Sequence, residues 1–367
     1  MKTENWKKVR LGDILLIQKK SKIKASDGIE NGIYPFFTCS NDIVRTYNSA
    51  QYKGPALIFG TGGKASVHFC DTEFSTSTDC LTYYPVSSEI NLDLVNQYIQ
   101  SNIYLLENGF KGAGLKHVSR DYIANIEINL PDIKTQDYIV QKLNKAKNII
   151  SNSKQLLTKY DLLIKSRFIE MFGDPVLNEK KWDLMTLPEL GEFGRGVSKY
   201  RPRNAPELLG GKYPLIQTGD IASANLYITK YDSTYSEAGF KQSKMWKAGT
   251  LCITIAATIA KTAILTFDSC FPDSVVGFTP NGKTNSLFIN YWFSFFQKIL
   301  EDQAPAVAQK NINLQVLSEL QIITPPKQLQ NDFAVFVQQI DKSKFTVQKS
   351  LEKAETLYKS LMQEYFA

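Results

Sequence analysis

Two short runs of basic residues are the part of this sequence best suited to chemistry, and that chemistry is anion binding. Lys19, Lys20, Lys22 and Lys24 crowd one stretch, and Arg195, Lys199, Arg201 and Arg203 crowd another. Ammonium groups meet phosphates as point charges and give salt-sensitive, sequence-independent affinity for nucleic acid. A guanidinium can instead bridge O6 and N7 of guanine in the major groove, which makes Arg195, Arg201 and Arg203 the candidates for reading bases. The bland alternative for both runs is a solvated basic loop. Gly60, Gly62, Gly63 and Lys64 form a loop in which backbone could approach DNA closely, although an ordinary hairpin turn uses the same residue types. Lys111, Lys116 and His117 follow Gly109 and Gly112. Gln309, Lys310 and Asn311 stand at the matching place in the second half, and Gln or Asn can hold adenine through two hydrogen bonds. A cap or turn role fits either residue as well.

Catalysis finds no comparable support. An amino-methyltransferase needs Asp, Asn or Ser before Pro-Pro and an aromatic after it, so that polar groups hold the amine of a flipped base and a ring stacks on it. Thr324-Pro325-Pro326-Lys327 has neither end. The glycine loop at residues 59–63 precedes a strand-like segment, so no helix N-terminus faces a bound anion, and Ala65 follows Lys64 where a phosphate-binding loop requires Ser or Thr. Five cysteines without a Cys-x-x-Cys pair, and only His68 and His117, assemble no zinc spacing. Buried, reduced thiols are expected, with no metal and no cofactor on this chain.

These loops need elements to hold them. At 367 residues the chain has room for two to three domains, each with its own core, and its net charge of +7 favours a polyanionic partner. The apolar run at residues 251–265 contains Lys261 and is too short to span a bilayer, and the opening MKTENWKKVR lacks a signal-peptide core. A cytoplasmic location is expected.

The second half of the chain repeats the first. Lys116, Ile128, Pro131, Gln136, Lys165, Ser166, Glu170 and Phe172 recur as Lys310, Ile322, Pro325, Gln330, Lys359, Ser360, Glu364 and Phe366, each 194 positions later. A unit this long is a duplicated domain, and a pseudo-twofold arrangement is expected. The globular parts diverge more: 12 positions separate Asp42 from Gly54, whereas 29 separate their counterparts Asp220 and Gly249, an insertion of 17. Runs at residues 56–59, 251–255, 263–265 and 275–278 predict buried strands. Shorter helices are expected near residues 92–106 and 287–300, the aromatics of the second belonging to the core.

Each repeat ends in a long helix. The first begins after Pro131 with Asp132 as N-cap and stops at Gly173-Asp174-Pro175. Ile139, Leu143, Ala146, Ile150, Ser153, Leu157, Tyr160 and Ile164 make a coiled-coil seam, matched in register by Phe333, Val337, Ile340, Lys344, Val347, Leu351, Ala354 and Tyr358. Ser153 and Lys344 are its weak layers. A helix over residues 132–172 would run roughly 60 Å at about 1.5 Å per residue. That length permits reading of DNA sites one turn, roughly 34 Å, apart. The fold expected is α+β, two tandem domains and two long helices in an antiparallel coiled coil, with boundaries at 1–131, 132–173, 174–325 and 326–367.

Several stretches resemble the specificity subunit of type I restriction-modification systems, and the resemblance covers essentially the whole chain. Its carriers are Trp6-x-x-Val9-x-Leu11-Gly12-Asp13-Ile14, the run Tyr213-Pro214-Leu215-Ile216-Gln217-Thr218-Gly219-Asp220-Ile221, Leu130-Pro131 with Gln136-x-x-Ile139-Val140, and above all Lys165-Ser166-Arg167-Phe168-Ile169-Glu170-Met171-Phe172-Gly173-Asp174-Pro175. Leu187-Pro188-Glu189-Leu190-Gly191 is a looser copy of the opening motif. The resemblance implies two target recognition domains, each reading half of a split double-stranded DNA sequence, and helices that set the unread spacer and dock methyltransferase subunits. It also implies two such subunits per specificity chain, S-adenosylmethionine bound on them, added restriction subunits for cleavage, and no catalytic residue here. The helix ends around Phe168, Phe172, Tyr365 and Phe366 are the candidate partner surface, or else internal caps of the coiled coil. The competing readings are a coiled-coil scaffold carrying two ligand-binding domains, and a subunit of a related methyltransferase-only or type II-like system. The basic runs favour DNA over a scaffold, because they occupy comparable loops of the two copies, shortly before Tyr34-Pro35 and Tyr213-Pro214.

Overall fold

The structure is a computed structural model that describes residues 6–42, 45–114, 116–256, 259–303 and 313–366, the side chains of 298–303 excepted. Gln309, Lys310 and Asn311 lie outside the described residues. The chain divides into two compact units, residues 1–155 with 348–367 and residues 156–347. The four-segment division expected above follows the helix boundaries instead, whereas each compact unit takes part of both long helices.

The first unit opens with β1 (Lys7–Arg10), α1 (Leu11–Ile14) and β2 (Leu15–Ile17). Then come β3 (Tyr34–Phe37), β4 (Arg45–Tyr47), β5 (Ala56–Gly60), β6 (Ser66–Cys70), β7 (Ser75–Thr76) and β8 (Cys80–Pro85). The helices α2 (Leu92–Ser101), α3 (Tyr104–Glu107) and α4 (Arg120–Ala124) lead to β9 (Glu127–Leu130) and the long α5 (Ile133–Phe172). The strands form sheets β2-β8-β5-β6, β4-β3-β7 and β1-β9. The apolar run of β5 is buried at every position, as a strand between two neighbours and covered on both faces should be. Asn91 caps α2, its side chain accepting from the N–H groups of Asp93 and Leu94, and α2 buries Leu94, Val95 and Ile99 against Leu57 and Phe59.

The second unit repeats this order. It runs β10 (Leu184–Met185), α6 (Leu187–Leu190), β11 (Gly191–Arg195), β12 (Leu209–Leu215), α7 (Thr218–Ser223), β13 (Tyr227–Ile228), β14 (Ser233–Tyr235), α8 (Glu237–Lys241) and β15 (Met245–Trp246). It continues β16 (Leu251–Thr254), β17 (Thr262–Leu265), β18 (Ser269–Cys270), β19 (Val275–Pro280), α9 (Ser286–Gln303), α10 (Leu314–Ser318), β20 (Ile322–Ile323) and α11 (Lys327–Phe366). Its sheets are β11-β19-β16-β17-β13, β14-β12-β18-β15 and β10-β20. The two larger sheets are those of the first unit with one strand added at an edge, β13 and β15. Both additions fall between Asp220 and Gly249, where the sequence carries its insertion. The aromatic helix α9 sits in the core as expected, with Phe288, Trp292 and Phe293 buried.

The helix ends obey local rules. Asp132 accepts from the Thr135 hydroxyl and N–H at the start of α5, which holds its carboxyl below the usual range. Gly173, with φ of +76°, follows the last residue of α5, and its N–H donates to Ile169 O at 2.7 Å. Each long helix is also tied to its own unit by a buried glutamine. Gln136 donates to Glu89 O and Pro131 O and accepts from Asn91 N–H, while Gln330 donates to Lys283 O and Pro325 O and accepts from the Thr284 hydroxyl.

Every seam position is buried or half-buried. Within the first unit Ile139 and Leu143 share a core with Leu361 and Tyr365, and Lys154 pairs with Glu355 at 3.0 Å, so the helices run antiparallel there. Within the second unit Phe168 and Phe172 pack on Phe333, and Lys344 pairs with Asp161 at 2.6 Å, again antiparallel. The Lys344 layer is thus satisfied by a carboxylate from the facing helix, its stem packed and its charge at the rim.

Candidate nucleic-acid interface

In the first unit the basic segments come together. Gly60 pairs with Ser66, so residues 61–65 are the turn of the β5–β6 hairpin, and Gly63 adopts φ of +78° with nothing near the place of a Cβ. Gly60 has no such room: a Cβ would lie 2.2 Å from Ser66 Oγ and 3.0 Å from Cys39 Cα. The segment at 111–117 folds onto this turn. Lys111 and His117 exchange both backbone hydrogen bonds, Gly63 N–H donates to Lys116 O at 3.1 Å, and Val118 N–H donates to Thr61 O at 3.0 Å. Lys64, Lys111, Lys116 and His117 are consequently exposed on one surface. The lysine loop joins it through residues 78 and 79: Thr78 N–H donates to Ile23 O, and Thr61 N–H donates to Asp79 O, both at 2.8 Å. Tyr52 fixes the loop's other end by donating to Lys19 O. Lys19, Lys20, Lys22 and Lys24 are exposed, and no carboxylate pairs with them among the described residues. The one acid at the junction, Asp79, is exposed as well.

The second unit treats its basic run differently. Arg195 ends β11 and Lys199 lies in the following loop, both exposed. Gly196 lets that loop leave the sheet, since a Cβ there would meet Phe271 O at 2.2 Å. Gln242 then accepts from the N–H groups of Lys199 and Tyr200. Arg201 donates to Ser198 O at 2.5 Å, to Tyr200 O at 2.9 Å and to Asp273 at 3.2 Å, and Arg203 pairs with the same carboxylate. These two arginines hold their own loop and the Asp273 segment together while staying about half exposed, whereas Arg195 has no carboxylate partner among the described residues. Asp273 and Gln242 carry no local sequence signal for this role, because each acts on a loop tens of residues away.

The aromatic helix ends take the second of the two roles expected for them. Phe168 and Phe172 are wholly buried with Phe288 and Phe333 in the second unit, and Tyr365 and Phe366 are buried in the first, where Phe366 O accepts from the Asn102 amide. They cap the helices internally, because the globular part of each unit closes over the helix end. Apolar side chains that do face solvent on these helices include Ile149 and Leu357 in the first unit and Leu162, Val335 and Phe345 in the second, Phe345 being the most exposed at 61%. Among the described residues no group of His, Cys, Asp and Glu could hold a metal ion, and no helix is long and apolar enough to cross a membrane. The five cysteines are free thiols; four are buried, but Cys39 is only half-buried.

Residues 3–159 and 179–355 match the family described as the type I restriction modification DNA specificity domain. The chain belongs to this family. The two matches fall on the two repeats, and in this family the chain supplies DNA recognition, not catalysis. The Escherichia coli type I restriction enzyme EcoDI specificity subunit is 21% identical, the alignment covering 99% of this chain and 87% of that one. The fold is that of the type I restriction-modification S subunit from M. genitalium, with a TM-score of 0.73 at 15% identity over 99% of this chain and 96% of that one. A structure solved to describe complex assembly and conformational transition of the type I restriction-modification system matches at a TM-score of 0.55 and 16% identity, over 98% and 97% of the two chains.

Proposed function

We propose that this specificity subunit reads a duplex target split into two half-sites, one through each unit, and seats methyltransferase subunits on the exposed apolar faces of its long helices. The observation that carries the reading is that both copies of the fold present a basic loop at the same place, after β2 and after β11, although the residues differ. In the first unit Lys19, Lys20, Lys22, Lys24, Lys64, Lys111 and Lys116 contact phosphates and set register, since unpaired ammonium groups neutralise backbone charge without reading sequence. In the second, Arg195 contacts a base edge and Lys199 a phosphate. Ile149, Leu357, Leu162 and Val335 face the methyltransferase subunits, two per chain, which bind S-adenosylmethionine; restriction subunits join them for cleavage.

Mapping methylated adenines across the genome of the source cell, with and without this gene, tests the reading. Loss of methylation at one motif of two short half-sites around a fixed gap is the expected result. Unchanged methylation with the methyltransferase expressed overturns it. Replacing residues 15–115 by the matching segment of a relative should then change one half-site and leave the other.

A further inference from the structure

The stretch from Tyr34-Pro35 to Asp42 answers the stretch from Tyr213-Pro214 to Asp220, but the two copies use its end differently. In the second unit Asp220 accepts from Gln217 N–H at 2.7 Å at the start of α7, and Ile221 is 1% exposed, so the motif is consumed by a helix start and a core contact. In the first unit residues 38–42 form no helix. The segment is held through other atoms: Thr38 Oγ accepts from Ser40 N–H, Ser40 Oγ accepts from Asp42 N–H, and His68 Nε2 lies 2.8 Å from Ser40 O. Asn41 and Asp42 are exposed, and neither side chain has a hydrogen-bond partner among the described residues. A fixed backbone presenting an unsatisfied amide is what recognition of a base edge requires.

The segment also lies where the basic pieces of the first unit meet. Phe37 O accepts from Ser77 N–H at 2.8 Å, and Cys39 Sγ accepts from Gly62 N–H at 3.4 Å while its S–H donates to Asp79 O at 3.0 Å. Gly62 belongs to the turn that carries Lys64 and pairs with His117, and Thr78, beside Asp79, holds the lysine loop at Ile23. The lysines of these pieces draw phosphates. Asp42 and the exposed Asp79 repel them from the middle, so the part of a duplex that meets residues 39–42 is the groove rather than the backbone.

We propose that Asn41 reads an adenine of the first half-site in the major groove, its Oδ1 accepting from the N6 amine and its Nδ2 donating to N7. The assignment rests on the recognition reading above. Adenine alone presents that donor beside that acceptor on its major-groove edge. The N6 hydrogen taken by Oδ1 is the one that pairing with thymine leaves free, and a methyl group in its place would displace the contact. The adenine read by Asn41 is therefore not the adenine that becomes methylated.

The test uses the specificity chain in complex with its methyltransferase subunits. Target duplexes carry 7-deazaadenine, which lacks the N7 acceptor but keeps its pairing with thymine, at each adenine in turn of the half-site that changes when residues 15–115 are exchanged. The wild-type complex should lose about tenfold in affinity at one of these adenines. Asn41→Ala should bind the unmodified target about tenfold more weakly and be indifferent to that replacement, with non-target affinity and its salt slope unchanged. A wild type insensitive at every adenine, a variant as sensitive as the wild type, or one that weakens target and non-target duplex alike overturns the assignment. So does a first half-site without adenine. Asp42→Asn should tighten non-target binding about threefold, and no change would take this acidic segment, Asn41 included, off the DNA. A wild-type complex that binds target and non-target duplex equally would instead sink the recognition reading, and the assignment with it, before any variant is made.

Discussion

The turn between β5 and β6 and the turn between β16 and β17 occupy the same place in the two copies of the fold, but their surroundings are opposite. In the first unit Gly63 and Lys64 are exposed at the turn, and the buried Gly62 pairs with His117 of the basic segment at 111–117. In the second, Ile255, Ile259 and Ala260 are buried at 3%, 2% and 2% exposure in the main core. The inserted stretch accounts for part of the difference, since β13 pairs alongside β17 and Leu226 joins the same core. Duplication kept the sheets and helices, whose cores admit few alternatives, and left the surfaces between them free to diverge. Two units built alike therefore need not meet DNA with the same loops. The first presents unpaired lysines on a composite surface, and the second an arginine loop clasped by Asp273.

Exchanging residues between the two turns should break the comparison most sharply. Ile259→Lys places an ammonium group in a packed apolar site and should destabilise the second unit by about 3 kcal/mol, whereas Lys64→Ile, at an exposed turn, should change stability by less than about 0.5 kcal/mol. Urea denaturation followed by tryptophan fluorescence reads this well, because Trp182, Trp246 and Trp292 lie in the second unit and only Trp6 in the first. Equal effects would mean that the two turns are not the opposites described.

Where the copies agree, mutations should agree as well. Gln136→Ala and Gln330→Ala each leave two carbonyls and one donor at a helix start without a partner, and each should cost about 2 kcal/mol. A large inequality, measured by amide exchange in the first turns of α5 and α11, would show that the two helices are anchored differently despite the shared motif.

The duplicated glutamines were visible in the sequence as a repeated residue, but their partners were not. That contrast describes the chain at large. Helix limits, the heptad seam and the inner strands were legible because Asp132, Gly173 and the apolar periodicities act through neighbours within a few positions. The aromatic helix ends were ambiguous because they continue the seam beyond the helix pair, into a core supplied by α2 in one unit and α9 in the other. The ties that shape the candidate interface were illegible. Thr78 to Ile23, Gln242 to Lys199 and Asp273 to Arg201 all join segments far apart in the chain, and no spacing rule specifies such pairs.

The clasp on the arginine loop gives the smallest effect and the finest test of the difference between the units. Asp273 is one-third exposed and its two guanidinium partners about half exposed, at 52% and 45%, so solvent screens both pairs and Asp273→Ala should cost only about 1 kcal/mol of stability. Its effect on binding separates two roles for Arg201 and Arg203. If they position the loop, their release should weaken discrimination between target and non-target duplex while non-specific affinity and its salt slope stay unchanged, because the net positive charge is not reduced. If instead the carboxylate merely masks them, the same substitution should tighten non-specific binding and steepen the salt slope, since two freed guanidinium groups would each recruit a phosphate. Titrating duplex DNA at several salt concentrations distinguishes the outcomes, and no change in either quantity would place the loop away from DNA. The lysine loop of the first unit has no such clasp, so replacing Lys19, Lys20, Lys22 and Lys24 with Gln can only flatten the slope.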